Sequence, residues 1–433
     1  MRDRQSQSEL CQLIVSLFSH IAQINRLPSE SRNTLNTVVF EDKKGQALSY
    51  NIVSSYTDGP GSWVVVDRDK PLWDEAVFKL QNLNRNTVSR RSVEQMLANL
   101  GYKYQTRAWK LSGIPQDVNR LITDIKSVEG AAMQVRFPIW GLMLNAPLLT
   151  VGNVEFEPIW KHSDIDIELK KLSPEQDTQL FRIHAIAIAE GKGDSDMIRE
   201  NAETKANQAL NILRAFTYEM VPDSGLKQMG IMGSYYALTR LHFTEEVKSA
   251  SPNLRDALPS FQRSGLVNIA IDQYRIQRFE EYGFNRLSEA LRSSTATEIE
   301  KGLIRGAEWI GEATKPDTPH SKFLKVAFAI DAMIGDDASD IPDKGITARI
   351  AERSAFLLAS RMRTRQQVYD NMRDFFNKRG KLAHGSTIEV TEEEIERFGG
   401  YARAILIQLL KWNPPFRKVK DLATWVQRKS LKG

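Results

Sequence analysis

The spacing of apolar and polar positions changes character along the chain. Residues 8–25 place Leu10, Leu13, Ile14, Leu17 and Ile21 three and four apart, which predicts a helix. Residues 37–75 carry the turn signal Asp58-Gly59-Pro60-Gly61 and the strand-like run Trp63-Val64-Val65-Val66. Residues 92–100 and 115–128 return to helical spacing, so residues 1–130 read as a mostly helical N-terminal region. From about residue 133 short strands are expected at Gln134–Phe137, Leu148–Val151 and Asn153–Phe156. Asp164-Ile165-Asp166-Ile167-Glu168-Leu169 alternates strictly and reads as a half-exposed strand, and Phe181–Ile188 as another. A long helix is expected over residues 197–218, which makes residues 131–296 an α+β region.

From about residue 297 to the end the spacing predicts helices only: about 297–313, 319–335, 345–362, 365–384 and one starting at Thr391. The second of these is apolar nearly all round, from Phe323 to Ile334, which marks a buried helix. Thr391 with Glu394 three residues on is the capping-box pattern, and Gly385 is a plausible stop for the fourth helix. Short connections imply an antiparallel bundle. The fold class expected is therefore an α+β N-terminal region followed by an all-α C-terminal bundle, residues 297–433.

Three charged residues interrupt the apolar stripes of that bundle. On the fourth helix Val368, Met372, Phe375 and Leu382 form the stripe, and Arg379 occupies its missing step. On the third, Arg353 lies between Ile350 and Leu357, and on the second Asp331 breaks the apolar run. Burying an unpaired charge costs several kcal/mol, roughly, so such residues are expected to be paired or at a cleft. An Asp331–arginine pair would satisfy both partners. His384 follows Arg379 by five residues, about 140° around and roughly 7.5 Å along an ideal helix. One helix so spaced grips a single phosphate poorly, whereas a second copy about a two-fold axis would gather both pairs around one cleft. Arginine offers a fixed donor fork to phosphate, and an imidazole exchanges a proton near neutral pH. Together they suit attack of an RNA 2′-hydroxyl on its adjacent phosphate, with no metal or other cofactor required.

Phe375-Phe376-Asn377-Lys378-Arg379-Gly380-Lys381-Leu382-Ala383-His384-Gly385 resembles the Arg-x4-His-Gly signature of HEPN domains, most closely the ApeA-like branch. Two further segments agree in order and spacing. Phe323–Met333 is similar to that branch's apolar helix with one embedded acid, Asp331 standing where the family usually has Glu. Ile350-Ala351-Glu352-Arg353-Ser354-Ala355-Phe356-Leu357-Leu358 resembles its Ile-x-Glu-Arg-x-Ala-x-Leu-Leu helix. Gly380 departs from the polar residue common after the family's arginine. The resemblance covers about the last third of the chain. It implies a metal-independent endoribonuclease, active as a homodimer with a composite site, leaving a 2′,3′-cyclic phosphate and a 5′-hydroxyl. It further implies a prokaryotic effector in anti-phage defence, abortive infection or a toxin system. Residues 131–296 would then sense a regulatory partner or phage trigger. Arg379 and His384 carry over as catalytic and Asp331 as supporting; beside them Arg353 is expected to support the site and Lys378 and Lys381 to bind RNA. The alternative is a non-catalytic HEPN-like module that binds RNA, dimerises or acts as an adaptor.

Other patterns point to less. His162-Ser163-Asp164-Ile165-Asp166 lacks a preceding Gly-Ser turn and reads as strand, not as a nucleotidyltransferase site. Gly191-Lys192-Gly193 is followed by Asp194-Ser195-Asp196, acids where a phosphate would lie, and reads as a turn. Asp336, Asp337 and Asp340 form an acidic loop, and Trp309 and Trp412 read as core. The run Arg361, Arg363, Arg365 fits a solvated face or an RNA backbone contact equally. One cysteine, Cys11, excludes an intrachain disulfide and a cysteine zinc site. The longest apolar stretch, Phe137–Val151, is broken by Pro138, Gly141, Asn145 and Pro147 and falls short of the ~20 residues of a bilayer span. A cytoplasmic protein without a membrane segment is expected.

Composition sharpens the picture through the placement of charge. The whole 433-residue chain carries a formal net charge of +5. Residues 297–433 hold 24 Lys+Arg and 19 Asp+Glu, so the excess lies there and residues 1–296 are neutral. Residues 344–384 alone hold ten basic and three acidic residues. A basic bundle joined to a neutral region is the distribution expected of an RNA-binding domain with a regulatory partner.

Overall fold

The computed structural model describes residues 8–18, 69–101, 115–128, 130, 132–165, 184–217, 229–231, 269–315, 317–335 and 345–431. It also describes the backbone of residues 32–33, 37–41, 47–56, 63–66, 102–106, 114, 131, 237–240 and 243–245. Two compact units share the chain: residues 1–133 with 191–201, and residues 134–190 with 202–433.

The first unit joins helices to a small sheet. Strands β1 (Arg32–Asn33), β2 (Thr37–Glu41), β3 (Ala47–Tyr56) and β4 (Trp63–Val66) form an antiparallel sheet in sequential order. Helical residues 8–18 and helices α1 (Lys70–Gln81), α2 (Arg90–Thr106) and α3 (Ile114–Ser127) pack around Ile14, Leu17, Phe18, Trp73, Val77, Leu97 and Ile122. Asn84 donates to the carbonyls of Ile125 and Val128, tying the loop after α1 to the end of α3. The strand-like run Trp63–Val66 is β4, whereas β1, β2 and β3 were not expected from the sequence. Strands β1 and β2 are short, and Ala47–Tyr56 mixes Ser, Asn and Tyr among its apolar positions, which obscures the alternation.

The second unit places helices beside a seven-stranded sheet. Strands β5 (Ala131–Trp140), β6 (Leu142–Leu144), β7 (Leu149–Val151), β8 (Val154–Pro158), β9 (Ala185–Gly193), β10 (Gly230–Ile231), β11 (Ala237–Arg240), β12 (Phe243–Glu245) and β13 (Ile269–Ile271) follow in sequence. The sheet runs β12-β11-β5-β9-β8-β7, with β10 beside β5, while β6 and β13 pair in parallel. Strand β8 alternates buried Val154 and Phe156 with exposed or half-exposed Glu155 and Glu157, so one face meets the core. The expected strand over Asp164–Leu169 does not form at its start: residues 163–165 make a helical turn, and Asp164 pairs with Arg136 at 2.9 Å. Residues 166–169 lie outside the described residues, as do Phe181–Ile183, His20, His242 and the acidic positions Asp336, Asp337 and Asp340.

Helices then follow: α4 (Ser195–Thr217), α5 (Gln273–Glu281), α6 (Phe284–Arg292), α7 (Glu298–Ala313), α8 (Pro319–Ile334), α9 (Ile346–Leu358), α10 (Met362–Ala383), α11 (Glu392–Lys411) and α12 (Val419–Ser430). Among the described residues from 273 onward every regular element is helical, earlier than the expected start near 297. Asp272 caps α5 by accepting the Arg275 N–H at 2.9 Å. Phe279 and Phe284, on α5 and α6, meet Phe216 of α4 at centroid distances of 5.8 and 5.1 Å. Arg286 of α6 donates to the carbonyls of Leu409 and Leu410 and satisfies the end of α11. Gln208 and Asn211 of α4 donate to Glu308 and Glu312 of α7.

The bundle core follows from small and aromatic positions. A Cβ on Gly302 would fall 2.4 Å from the Ala332 carbonyl oxygen, and one on Gly306 2.4 Å from Met333 Cγ, so glycine lets α7 lie close on α8. Phe323, Phe375 and Phe398 bring α8, α10 and α11 together, with Phe375 and Phe398 stacked at 3.7 Å and Phe323 4.4 Å from Phe375. Thr297–Glu300 and Thr391–Glu394 form capping boxes on α7 and α11, and Thr318 with Pro319 starts α8. Among the described residues no helix is long and apolar enough to cross a membrane.

Candidate functional site

The site grows from the last three turns of α10. Val368, Met372, Phe375 and Phe376 are buried and fix the helix register, so Arg379 falls on the side facing α8. The guanidinium carbon lies 5.9 Å from the centre of the Phe328 ring. Its Nε is buried and has no hydrogen-bond partner, while the residue as a whole is half-buried. Among the described residues no carboxylate pairs with Arg379.

Helix α10 ends in a Schellman motif. Gly385 adopts φ +80°, its N–H donates to the Leu382 carbonyl at 3.0 Å, and the Ser386 N–H donates to the Lys381 carbonyl at 3.0 Å. The His384 N–H donates to the Gly380 carbonyl at 3.1 Å, so this residue stays on the helical path at the cap. The glycine required for the left-handed turn thus sets the histidine at the helix end, where its side chain is exposed. Lys381 is exposed in the same turn. The segment beyond is held to α8 where His320 Nε2 meets the Ile388 carbonyl at 2.7 Å.

The supporting residues converge on the end of α8. Arg353 is 3% exposed, and its Nη1 donates to the Ile334 carbonyl at 2.6 Å. Asp331, half-buried, stands one turn earlier on the same helix. Its Oδ1 lies where a Cβ on Gly335 would approach to 2.2 Å, so the carboxylate folds back over that glycine. Asp331, Arg353 and Arg379 therefore all meet the second half of α8, Arg379 by way of Phe328. His384 and Lys381 stand apart from that group, at the exposed end of α10.

Lys378 has another role than the one expected. Its Nζ bridges both carboxylate oxygens of Glu394, at 2.6 and 2.7 Å. Desolvation pushes the Glu394 carboxyl up, but Lys378 and the Thr391 N–H outweigh it and hold it below the ordinary glutamate range. Lys378 thus joins α10 to the N-terminus of α11. Arg365 is likewise engaged: it donates to the carbonyls of Ala359 and Ser360 and lies 4.2 Å from the Phe356 ring centre. Arg361 and Arg363 are exposed.

Two residues read as core prove exposed. Trp309 of α7 and Phe328 of α8 are each 36% exposed, and their rings lie 5.3 Å apart. The helical phase held the signal. Lys301, Arg305 and Trp309 are spaced by four along the polar face of α7, and Phe328 falls one turn after Lys325. The all-round apolarity of α8 masked it. Trp412, by contrast, is partly buried against Phe416 and Trp425. Asp194 accepts the N–H groups of Ser89 and Met197 and so caps α4, which accounts for acids after Gly193 without a phosphate. His162 bonds Glu157 at 3.0 Å, and among the described residues no group of three or more His, Cys, Asp or Glu is placed to hold a metal ion.

Comparison with protein-family models, with curated proteins and with solved structures finds no match for this chain.

Proposed function

We propose that the C-terminal bundle is a HEPN-like endoribonuclease domain in which Arg379 and His384 act on the RNA backbone. The observation that carries this reading is the contrast among the cations of α10. Lys378 is consumed by Glu394, whereas Arg379 has a buried Nε without an acceptor and His384 stands exposed five residues on. Arg379 is half-buried beside Phe328 and no carboxylate among the described residues pairs with it, so its guanidinium charge is left for an anionic acceptor at that surface. A phosphate oxygen is such an acceptor.

In the reaction, an RNA 2′-oxygen attacks the adjacent phosphorus and the P–O5′ bond breaks. One imidazole takes the 2′-hydroxyl proton and a second, in its protonated form, gives a proton to the departing 5′-oxygen. Arg379 stabilises the charge that accumulates on the phosphoryl oxygens. The products are a 2′,3′-cyclic phosphate and a 5′-hydroxyl. Two copies of α10 supply the two imidazoles, because each copy carries one His384. This makes the active species a homodimer and the site composite, with Asp331 and Arg353 holding the end of α8 against which Arg379 rests.

The reading is tested by the chemistry of the ends. Cleaved RNA should carry a 3′ end that resists ligation until acid opens the cyclic phosphate and a phosphatase removes the resulting monoester, and a 5′ end that accepts phosphate from a kinase. A 5′-phosphate on the products would rule out 2′-hydroxyl attack.

A further inference from the structure

Trp309 and Phe328 are the two Phe, Tyr or Trp side chains of the described bundle that are exposed, each at 36%, while Phe323, Phe375, Phe376 and Phe398 are buried. They touch each other, at 5.3 Å and 57° between planes, and Phe328 in turn underlies the Arg379 guanidinium. The result is a short surface row of indole, phenyl and guanidinium drawn from α7, α8 and α10.

The surroundings of this row are cationic. Lys301 and Arg305 lie two turns and one turn before Trp309, and both are exposed. Of the two acids of α7 nearest the indole, Glu312 is paired with Lys315, and Glu308, half-buried, accepts from Gln208 and has its charge offset by Arg305. An exposed indole with Phe328 against its side and Lys301 and Arg305 along the same helix face fits a partner with π-faces and negative charge. Single-stranded nucleic acid combines the two, since every base offers a face for stacking and every linkage a phosphate.

We propose that Trp309 and Phe328 form a stacking platform for an unpaired nucleobase next to the phosphate that Arg379 receives. This rests on the ribonuclease reading and adds to it a determinant of base preference. The base stacks on the exposed indole face with Phe328 closing one edge, its 3′ phosphate reaches Arg379, and Arg305 and Lys301 lie along the strand beyond. The platform favours purines, whose larger faces cover more of the indole.

A labelled 2′-O-methyl oligoadenylate, which cannot be cleaved by 2′-hydroxyl attack, tests this with the full chain by fluorescence anisotropy. Trp309→Leu keeps apolar bulk and removes the ring, and Phe328→Leu does the same beside it. Each should weaken binding roughly five- to hundredfold, the range of a lost base-stacking contact, and Trp309→Phe should restore most of it. The loss should shrink when the adenines are replaced by abasic residues. Binding unchanged in both leucine variants would overturn the platform, and cleavage of ordinary RNA that depends on His384 would show that the ribonuclease reading survives. Unchanged binding with a shift of Trp309→Leu toward a smaller species in sedimentation would overturn it in favour of an interface between copies. A wild-type chain that binds no oligonucleotide would overturn both readings together.

Discussion

Residues of the same type do different work within a few positions of one another. Lys378 and Arg379 are neighbours on α10, yet the first closes an ion pair with Glu394 while the second keeps a buried Nε without an acceptor. The stripes Val368, Met372, Phe375 on α10 and Ile350, Leu357 on α9 were enough to show that Arg379 and Arg353 turn inward, because helical phase is a local property. The partner of Lys378 was not legible, because it sits on another helix and only the packing of α10 on α11 sets the distance. The exposure of Trp309 and Phe328 was hidden for a related reason: apolar character predicts burial only on average. Two glycines of the motif separate cleanly. A Cβ on Gly380 meets nothing within 4 Å in ordinary helix, so Gly380→Ala should stabilise the domain by up to about 1 kcal/mol in urea unfolding. A Cβ on Gly385 also meets nothing, but its φ of +80° is strained for a side chain, so Gly385→Ala should cost about 1–2 kcal/mol, and Gly385→Asn less. Arg353, 3% exposed and bonded to the Ile334 carbonyl, should cost about 3–5 kcal/mol when replaced by alanine, since truncation vacates a buried cationic site and strips the end of α8 of its donor.

At the scale of elements, the helices of the bundle were legible where their ends carry local chemistry. Thr297, Thr318 and Thr391 cap α7, α8 and α11 close to the positions expected from spacing. Helices α5, α6 and α12 were missed, as each is short and α5 shows few apolar positions in its nine residues. The alternation of Asp164–Leu169 misled at its start, where residues 163–165 form a helical turn and Asp164 pairs with Arg136; residues 166–169 lie outside the described residues. The junction of α10 and α11 depends on one carboxylate. Glu394 has its folded pKa lowered, so it contributes stability fully present above the ordinary glutamate range and lost as pH falls from about 4.5 through the lower folded value. Urea midpoints measured from pH 7 to pH 3 should therefore fall with acid in the wild type. Lys378→Met should flatten that part of the curve, and an unchanged pH dependence in the variant would show that the pair does not set it.

For the whole molecule, the sequence placed the basic excess in the C-terminal third and the helices there, and the structure adds that strands and bundle share one compact unit. The extent of that unit was not legible, because it depends on contacts such as Ser288 with the Gly152 N–H, 136 residues apart. The site was legible as a motif but not as an arrangement: spacing gave Arg379 and His384, and only the fold showed the buried Nε of the first and the exposed, glycine-set position of the second. The central claim is that these two residues cleave RNA without a metal. The direct measurement is cleavage of single-stranded RNA by the full-length chain in EDTA, wild type against His384→Ala, with both folded by circular dichroism. Cleavage by the wild type is expected, with a loss of at least about a hundredfold in the variant, the scale of a lost general acid–base group. Equal cleavage by the two proteins, or cleavage abolished by EDTA, would contradict it.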